Sequence, residues 1–402
     1  MRIIHVIDFF QPQLGYQETY LAKEQIKNGH EVLVLTSDRY SPILFKGCAS
    51  KQILGNRKKG AGTYSEENID VLRLPSYLEV LTNIWLRNLE ASIIDYKPDV
   101  IHVHGIPSIT SIRIARLKRK LKGTKVIFDD HMTFDAIRGE WVKLLYKLFN
   151  IIFCRMIINA ADGVVAVQSE TVSFISEIYG IPSDKIIFIP LGCDIYSFHR
   201  DEQLRNELRH KYGINNDDVV FCYAGKLIED KGVKILIKAA LELLKYKKNI
   251  KILCIGGRDV KYFKDIENQI SKSNQHNKFI FINAVPNKDL YMYYSMADVG
   301  VWPKQCSLTM LEAMACSLPI IISRTSGVSE RVIDGKNGFL YTEGDIIDLK
   351  DKMEIFLDKT LLKTMSVNAR SFVEIYDWKN ISNSFEHIYM GNKNTIYKYE
   401  AS

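Results

Sequence analysis

Short apolar runs alternate along the chain with longer stretches in which apolar residues recur at helical spacing. Runs rich in β-branched residues predict strands, and strands that alternate with helices predict a mostly parallel sheet covered on both faces. The first set of runs is RIIHVI, EVLVLT, DVLRLP, VIHVHG, KVIFDD and GVVAV, and the second set is VVFCYAGK, IKILCIGG, KFIFINAV, DVGVWP and LPIIIS. The predicted fold class is therefore α/β, with two doubly wound, Rossmann-like domains.

A stretch rich in turn and polar residues, Ile189 to Asp201, separates the two sets of runs. We predict an amino-terminal domain over 1–193, a carboxy-terminal domain over 194–376, and a last helix and tail over 377–402 that crosses back to the amino-terminal domain. The polar stretch from Ser50 to Glu67 is predicted to be a loop. Domains of this kind bind ligands at the carboxyl ends of their strands, so a ligand site is expected in a cleft where the two domains face each other.

Composition narrows the class of protein but not its function. The 402 residues are too many for one hydrophobic core, and 47% apolar with 25% charged residues is typical of a globular protein. Seven scattered cysteines without C-x-x-C argue against disulfides and zinc and for a reducing compartment. We identify neither a signal peptide in MRIIHVIDFF nor a membrane-spanning run. The net charge of +7 suits nucleic acid, anionic lipid or a phosphorylated small molecule.

Two strand-to-helix turns could present an anion site. In QPQLGYQE, Gly15 lies at the expected helix start, where a missing Cβ lets a ligand approach the backbone; a plain tight turn is the alternative. In AGKLIEDKG, Lys226 follows a strand and Lys231 precedes the next helix. Two amines at this spacing suit a diphosphate, although loop lysines are often merely solvated. The P-loop motif is absent.

A third turn, in KQCSLTMLEAMACSLP, precedes a short amphipathic helix. Glu312 lies one turn beyond Leu308 on the same face and could accept hydrogen bonds from both hydroxyls of a ribose. A solvated helix charge is the alternative for Glu312. The residues whose backbone N–H groups would bind an anion at this helix start are Cys306, Ser307, Leu308 and Thr309.

Histidines follow two of the predicted strands. His131 lies just beyond the strand in FDDHMTF, where a ligand contact is expected, whereas His102 and His104 of IHVHG are interpreted as structural. Asp129 and Asp130 are adjacent strand residues and point to opposite faces, so no metal site is predicted there.

The stretch from Glu140 to Asn159 is apolar, with Lys143, Lys147 and Arg155 interspersed. It could lie on an anionic membrane surface. Alternatively, it packs beneath the first domain with its lysines extended to solvent.

Eight segments, in this order, resemble the retaining glycosyltransferases of family 4, which have the GT-B fold. They are QPQLGYQETYLAKEQIKNGHEVLVLT, VIHVHG, FDDH, IPLGCD, AGKLIEDKGV, ADVGVWP, LEAMACSLPIIIS and GKNGFLY, and the resemblance extends over nearly the whole chain. The resemblance implies an acceptor-binding first domain and a second domain that binds a UDP or GDP sugar. It also implies transfer, without metal or other cofactor, to a glycan or lipid-linked acceptor in polysaccharide or glycolipid synthesis. The expected location is the cytoplasm or the inner membrane face, and nucleic acid is not an expected partner.

The resemblance also implies roles for single residues. Glu312 matches the second glutamate of the E-x7-E element, which holds the donor ribose. Lys226 and Lys231 match the pair that stabilises the leaving diphosphate, and His131 matches the histidine that contacts the donor sugar. The other residues implied at the donor are Gly15 and Tyr16 at the phosphate turn, Tyr16 being a departure from Gly-Gly, Gly225 beside Lys226, and Val285 in the loop that reads the nucleobase.

Lys304 is the chief departure, because it stands where the family has its first glutamate, the residue that contacts the transferred sugar. Lys304 could contact an acidic sugar or the diphosphate. Alternatively, it turns to solvent while backbone N–H groups of Cys306 and Ser307 bind the sugar. A non-catalytic, nucleotide- or carbohydrate-binding subunit is therefore an alternative function, and an epimerase of the same fold is another.

Overall fold

A computed structural model describes residues 1–46, 53–80, 82–134, 137, 139–304, 307–324, 331–392 and 397. The chain divides into two compact units. The first unit contains Met1–Lys46, Asn56–Leu191 and Trp378–Ser402, and the second contains Gly47–Gly55 and Gly192–Asp377. No helix among the described residues is both long enough and apolar enough to cross a membrane.

Parallel strands form the centre of each unit. Strands of the first unit are β1 (Arg2–Val6), β2 (Glu31–Ser37), β3 (Gly62–Glu66), β4 (Ile69–Leu74), β5 (Ser76–Val80), β6 (Asn83–Leu86), β7 (Val100–His104), β8 (Lys125–Asp130), β9 (Gly163–Ala166) and β10 (Ile186–Phe188). Strands of the second unit are β11 (Val219–Ala224), β12 (Ile250–Ile255), β13 (Phe279–Ile282), β14 (Val299–Trp302), β15 (Ile320–Ser323) and β16 (Gly338–Tyr341).

Helices connect most of these strands. The α-helices are α1 (Gln17–Lys27), α2 (Leu89–Tyr96), α3 (Ile109–Leu117), α4 (Glu140–Phe149), α5 (Arg155–Ala160), α6 (Ser169–Tyr179), α7 (Glu202–Lys211), α8 (Val233–Leu244), α9 (Val260–Ser271), α10 (Leu290–Met296), α11 (Leu308–Ala315), α12 (Ile346–Ile355), α13 (Lys359–Val373) and α14 (Trp378–Tyr389). Short 3₁₀ turns include Pro12–Leu14, Glu229–Lys231 and Asn287–Asp289.

The first sheet has the order β10-β9-β8-β7-β1-β2-β4-β3, and its neighbouring strands are parallel except for β3 against β4. A separate hairpin joins β5 and β6. The second sheet has the order β13-β12-β11-β14-β15-β16, with parallel pairs throughout. Each of the eleven runs predicted to be a strand forms one. The predicted fold class, two Rossmann-like α/β domains, is therefore confirmed.

The predicted loop from Ser50 to Glu67 is wrong at its carboxyl end, where β3 forms. β3 pairs on one side only and is largely exposed, so its sequence lacks the apolar run that identifies a central strand. Glu66 is its buried member, and its Oε1 accepts a 2.7 Å hydrogen bond from Arg73 Nε. This buried ion pair fixes the register of an otherwise polar edge strand. Residues 50–52 of the predicted loop lie outside the described part of the chain.

Helix α14 follows the second unit in sequence but packs against α1 of the first. The rings of Tyr20 and Trp378 stack with their centroids 5.5 Å apart, and Gln25 donates a hydrogen bond to the Tyr389 hydroxyl. Trp378 and Tyr389 are both buried. The last described helix is thus part of the first unit's core.

Close backbone approach at the ends of β11 and β12 requires a glycine. Gly256 has φ of +147°, and a Cβ built on it would lie 1.8 Å from the carbonyl oxygen of Gly225. Gly225 N in turn donates to Ile255 O at 2.9 Å. The turns that follow β11 and β12 therefore lie close together at the carboxyl edge of the second sheet.

We expect Gly256→Ala to lower the stability of the second unit by about 1–3 kcal/mol in addition to any backbone strain, because the new methyl group displaces the Gly225 backbone. Gly344→Ala is the matched control, since Gly344 has φ of +82° but no atom within 4 Å of its Cβ position. That control should cost only about 1–2 kcal/mol of backbone strain. Denaturant midpoints measure both variants, and equal losses would contradict the steric argument.

Candidate functional site

The amino-terminal turn of α11 is fastened to the end of β11. Thr309 Oγ1 donates to Ala224 O at 3.0 Å, and Ser307 Oγ lies 2.6 Å from Thr309 Oγ1. Because the Thr309 proton is already used, Ser307 donates to Thr309. The first-turn N–H groups of a helix have no partner within it, so those of Leu308 and Thr309 remain directed beyond the helix end. Cys306, predicted to contribute to this turn, lies outside the described residues.

Glu312 is buried, with 4% of its surface exposed, so it is not a solvated helix charge. Its Oε1 accepts a 2.7 Å hydrogen bond from Asn287 Nδ2. Its Oε2 is buried without a hydrogen-bond partner among the described residues. Burial raises the pKa of Glu312 to about 8, and Asp194 adds to this while the Asn287 hydrogen bond opposes it. An unpaired, buried acceptor of this kind favours a ligand that donates hydrogen bonds.

Asn287 is a site residue that the sequence analysis missed. It begins the short turn Asn287–Asp289 after Pro286, in the same loop as Val285. Val285 is half-buried and packs against the core of the second unit. A short amide side chain directly after a proline in a strand-to-helix loop was the available signal, but its contact with Glu312 joins residues 25 positions apart.

Gly225 and Lys226 form the turn after β11. Gly225 has φ of +155°, and the Tyr223 hydroxyl donates to the Lys226 carbonyl at 3.0 Å, which fixes the turn. The Lys226 side chain is exposed, and no ion pair joins it to another described residue. Lys231 ends the turn Glu229–Lys231, directly before the left-handed Gly232 and helix α8.

Lys304 is not turned fully to solvent. Its Cγ lies 3.0 Å from the Cβ position of Gly232, so its stem rests on the residue next to Lys231. Its side chain is 34% exposed, and Nζ lies 3.9 Å from Glu343 Oε1. The structure therefore brings Lys304 and Lys231 to the same turn, at the carboxyl edge of the second sheet.

The first unit contains the remaining predicted residues. Gly15 is left-handed (φ 69°), and Tyr16 follows it as the N-cap of α1, with 37% exposure. Gln17, the first residue of α1, is buried and donates to Asp129 Oδ2 at 3.1 Å. α1 therefore begins beside the end of β8, where His131 lies.

His131 lies at the end of β8 with 41% of its side chain exposed. Its Nε2 is 3.8 Å from Asp129 Oδ2. Burial lowers the pKa of His131, but the Asp129 carboxylate outweighs it, and the net direction is upward. Asp130 Oδ1 accepts from the backbone of His131 and Met132 at 2.7 and 2.9 Å, which closes the turn. Burial raises the pKa of Asp130 to about 6.

Nitrogens of His5, His102 and His104 lie within 4.8 Å of one another, a spacing compatible with a metal ion. Each of these rings, however, makes a hydrogen bond to a protein group within the first unit. We therefore assign them hydrogen-bonding roles and no ligand set.

Two family models match separate parts of the chain. The model described as glycosyltransferase family 4 matches residues 19–196, and the model described as glycosyl transferases group 1 matches residues 205–372. The first match ends and the second begins near the boundary between the two units.

Curated relatives are similar to the chain over part of their length. A GDP-mannose-dependent alpha-(1-6)-phosphatidylinositol monomannoside mannosyltransferase from Mycolicibacterium smegmatis is 27% identical over 237 residues, which cover 56% of this chain and 61% of that protein. Alpha-monoglucosyldiacylglycerol synthase from Acholeplasma laidlawii is 25% identical over 315 residues, which cover 73% and 75%. The chain thus spans about three fifths of the length of the mannosyltransferase.

Solved structures are similar in fold over nearly the whole length of the chain. Sucrose-phosphate synthase from Thermosynechococcus elongatus superposes with a TM-score of 0.73 at 19% identity, covering 97% of this chain and 98% of that chain. HepE from Anabaena, solved in complex with UDP and glucose, gives 0.71 at 17% identity, covering 96% and 98%. At these identities the likeness establishes the fold.

The raised pKa of Glu312 predicts a pH-dependent loss of stability in the unliganded protein. A carboxyl group with a folded-state pKa near 8 and an ordinary unfolded value stabilises the fold below pH 4.5, and this contribution disappears as pH rises toward 8. Glu312→Gln cannot lose a proton. The stability of the wild type relative to Glu312→Gln should therefore fall between pH 5 and pH 9, as measured by melting temperatures.

Glu267→Gln is the control for this titration, because Glu267 is exposed on α9. Its melting temperatures should follow those of the wild type across the same pH range. Parallel curves for the wild type and Glu312→Gln would show that Glu312 is ionised in the folded protein throughout and would contradict the prediction.

Proposed function

The chain belongs to the group 1 glycosyltransferases of family 4, which have the GT-B fold, and from this premise we propose that it transfers a sugar from a UDP or GDP donor to a glycan or lipid-linked acceptor. The relatives in glycolipid synthesis support this acceptor class. The reaction serves cell-surface polysaccharide or glycolipid synthesis, and it proceeds with retention of configuration and without a required metal. The buried Glu312 is the observation that carries the proposal.

Glu312 accepts the ribose hydroxyls of the donor. Its Oε2 is buried and lacks a hydrogen-bond partner among the described residues, a situation that costs about 1–3 kcal/mol until a donor arrives. A vicinal diol supplies two hydroxyl donors at the spacing of a carboxylate, and hydrogen bonds from them favour the ionised Glu312 over the protonated form of the unliganded protein. Asn287 holds Oε1 in place and joins Glu312 to the Val285 loop, which would contact the nucleobase. Ribose and base would thus be recognised by connected elements.

Lys226, Lys231 and the first turn of α11 bind the diphosphate. They follow β11 and β14, which are neighbours in the second sheet. Lys304 rests on Gly232 beside Lys231, so we assign it to the diphosphate rather than to the transferred sugar. Amines and helix-end N–H groups together supply the countercharge that a nucleoside diphosphate needs as it departs.

In the reaction, the bond between the anomeric carbon and the diphosphate oxygen breaks, and negative charge develops on that oxygen. The acceptor oxygen attacks from the same face, and its proton passes to the departing phosphate. The lysines and the α11 N–H groups stabilise the developing charge more than the ground state, which accelerates the step. We assign His131 of the first unit to contact with the donor sugar.

A helix of the first unit suits contact with an anionic membrane. α4 continues through the π-helical segment Asn150–Cys154 into α5. Its inner side packs, for example Tyr146 against Phe174 with ring centroids 6.1 Å apart. Its outer side leaves apolar residues at helical spacing exposed: Trp141 by 80%, Leu144 by 45%, Leu145 by 63%, Leu148 by 44%, Ile151 by 76% and Ile152 by 60%.

The exposed apolar residues form one continuous face, because residues three and four positions apart lie side by side on a helix. A continuous exposed apolar face of this kind indicates a contact surface. Lys143 and Lys147 are exposed beside it and would pair with anionic lipid head groups. The two interpretations of Glu140 to Asn159 are thus combined, since one side of the helix packs and the other remains open. We propose that the enzyme works at the cytoplasmic face of the membrane, where it meets a lipid-linked acceptor.

Nucleoside diphosphates and their sugar conjugates should raise the melting temperature of the wild type, because they bind only the folded form. Glu312→Gln should lose most of that shift. If no nucleotide raises the melting temperature at millimolar concentration, the proposed donor site is wrong.

Lys226→Ala should lower kcat by about 10²–10³-fold, because it removes one group that stabilises the departing diphosphate.

The same assay separates the alternative functions. A non-catalytic subunit would show a nucleotide shift but no sugar transfer to any acceptor, and Lys226→Ala would then change affinity alone. An epimerase would convert the sugar nucleotide without an acceptor. Lys247→Ala is a control for lost positive charge, because Lys247 lies just beyond the carboxyl end of α8, beside Glu354.

Vesicles containing phosphatidylglycerol should sediment the wild type, and vesicles of pure phosphatidylcholine should do so less. Leu145→Asp and Ile151→Asp should abolish sedimentation without lowering the melting temperature, because both side chains are already exposed. Lys143→Gln with Lys147→Gln should weaken it and reduce its salt dependence. Val367→Asp, which changes an exposed apolar residue of the second unit, is the control. Equal loss in Val367→Asp would contradict this surface.

A further inference from the structure

A cavity of about 590 Å³ lies at the amino edge of the second sheet. Its wall contains Val219, Asp298 and Ser317, which lie at or shortly before the starts of β11, β14 and β15, three neighbouring strands. The turns of the proposed donor site lie at the opposite, carboxyl edge, and the six residues of β11 span about 20 Å. The cavity is therefore separate from the donor site.

Helix α13 forms one side of this cavity with a single face. The residues that it contributes are three or four positions apart, so they lie side by side along the helix. They are Lys359, Leu362, Lys363, Ser366, Val367, Arg370 and Ser371. The face combines cationic, hydroxyl and apolar side chains, and α7 with the segment before it supplies Arg200, Glu202 and Arg205 opposite.

The wall of the cavity carries more positive than negative charge. Asp298 accepts hydrogen bonds from Arg205 and Arg209 at 2.6 and 3.2 Å, so its charge is already compensated. Asp217 pairs with Lys359 from outside the cavity, but its side chain is 86% exposed and water screens its charge. The cations of the wall are Arg200, Arg205, Lys359, Lys363 and Arg370, and its carboxylates are Glu202, Asp218 and Asp298, which leaves two positive charges in excess.

The guanidinium groups beside the cavity are crowded. Burial lowers the pKa of Arg205, although Asp298 opposes this. The charges of Arg200 and Arg209 lower the pKa of Arg205 further. Like charges at such separations repel one another, and an anion bound among them would relieve the repulsion.

Two arginines of the wall keep N–H groups for a ligand. Arg200 donates from Nε to Glu202 at 2.7 Å, and its Nη1 and Nη2 have no hydrogen-bond partner among the described residues. Arg370 donates from Nη1 to the carbonyl oxygens of Phe198 and Ala315, at 3.0 and 2.6 Å. These two bonds fix its guanidinium group, while Nη2 has no hydrogen-bond partner in the described part of the chain.

The chemistry of the wall suits a phosphate group that is attached to an organic body. Guanidinium groups bind phosphate oxygens in pairs, and Lys363, which is exposed and forms no ion pair with another described residue, adds a point charge. A phosphomonoester carries about −1.5 to −2 charges at pH 7, which matches the excess on the wall. Small-molecule pockets measure about 300–1,000 Å³, so the cavity has room for more than the phosphate, and Leu362 and Val367 offer the rest an apolar surface.

We propose that this cavity is a second anion site, which binds a phosphomonoester of a small organic molecule. Arg200, Lys363 and Arg370 bind the phosphate, and Leu362 and Val367 contact the organic part. The site goes beyond the proposed function, because it is separate from the donor site and takes part in no step of the transfer.

Isothermal titration calorimetry of the full chain with glucose 6-phosphate tests this site. We expect saturable binding of glucose 6-phosphate and none of glucose, which lacks the phosphate. Arg200→Gln and Lys363→Gln should each weaken the affinity about tenfold, because each removes a hydrogen bond from a charged group to the phosphate. Because Lys363 is exposed and unpaired among the described residues, its variant should keep the wild-type melting temperature, and it decides alone if Arg200→Gln does not fold.

Two further variants show where the phosphate binds. Lys226→Ala, at the donor site, should leave the affinity for glucose 6-phosphate unchanged. Lys264→Gln, which removes an exposed charge of α9 outside the cavity, should do the same. Binding that Lys226→Ala loses and Lys363→Gln keeps would place the phosphate at the donor site and overturn the proposal.

Equal weakening by Lys264→Gln and Lys363→Gln would also overturn it, since binding would then reflect net charge alone. So would the absence of binding at millimolar concentration. These titrations need neither nucleotide nor turnover, so their result does not depend on whether the transferase proposal holds.

Discussion

Burial of the Glu312 carboxyl group is the constraint on which the second unit's site depends. Helix α11 is enclosed by the core through Met310, Leu311 and Met314, so its position cannot vary without disturbing that core. The same packing withdraws Glu312 from water, and among the described residues Asn287 alone donates a hydrogen bond to it. The carboxyl group is thereby held in a fixed position, with one oxygen that lacks a hydrogen-bond partner among the described residues before a ligand binds. Such pre-organisation lowers the entropy that a ligand must lose on binding.

The first unit also buries polar side chains, but there they lie on the strands of the sheet. Its central strands carry His5, His102 and Asp129 at positions where parallel sheets normally bury Val or Ile. Burying each of these groups alone would be costly, and hydrogen bonds to His104, Gln25 and Tyr389 compensate for part of that cost. The result is a rigid polar layer beneath the exposed His131. Both units therefore place their least favourable buried groups at the carboxyl edge of a sheet.

Local sequence pattern predicted the strands well because strands covered on both faces are continuous apolar runs. It missed β3, β5, β6, β10 and β16, which are short or pair at an edge; β3, for example, is largely exposed, and its one buried residue, Glu66, pairs with Arg73. It left Glu312 undecided, since helical spacing gives the face of a residue but not what covers that face. The contacts of Asn287 and of the histidines join residues far apart in sequence, and no local pattern contains them.

Helix α14 makes the first unit discontinuous in sequence. Trp378 and Tyr389 complete a core that begins at Met1, and the whole second unit is translated between them. During vectorial synthesis the surface around Tyr20 and Gln25 therefore stays uncovered until α14 has left the ribosome. The second unit, by contrast, is nearly continuous and can fold first. Part of the first unit's core is thus completed only after the second unit has been synthesised.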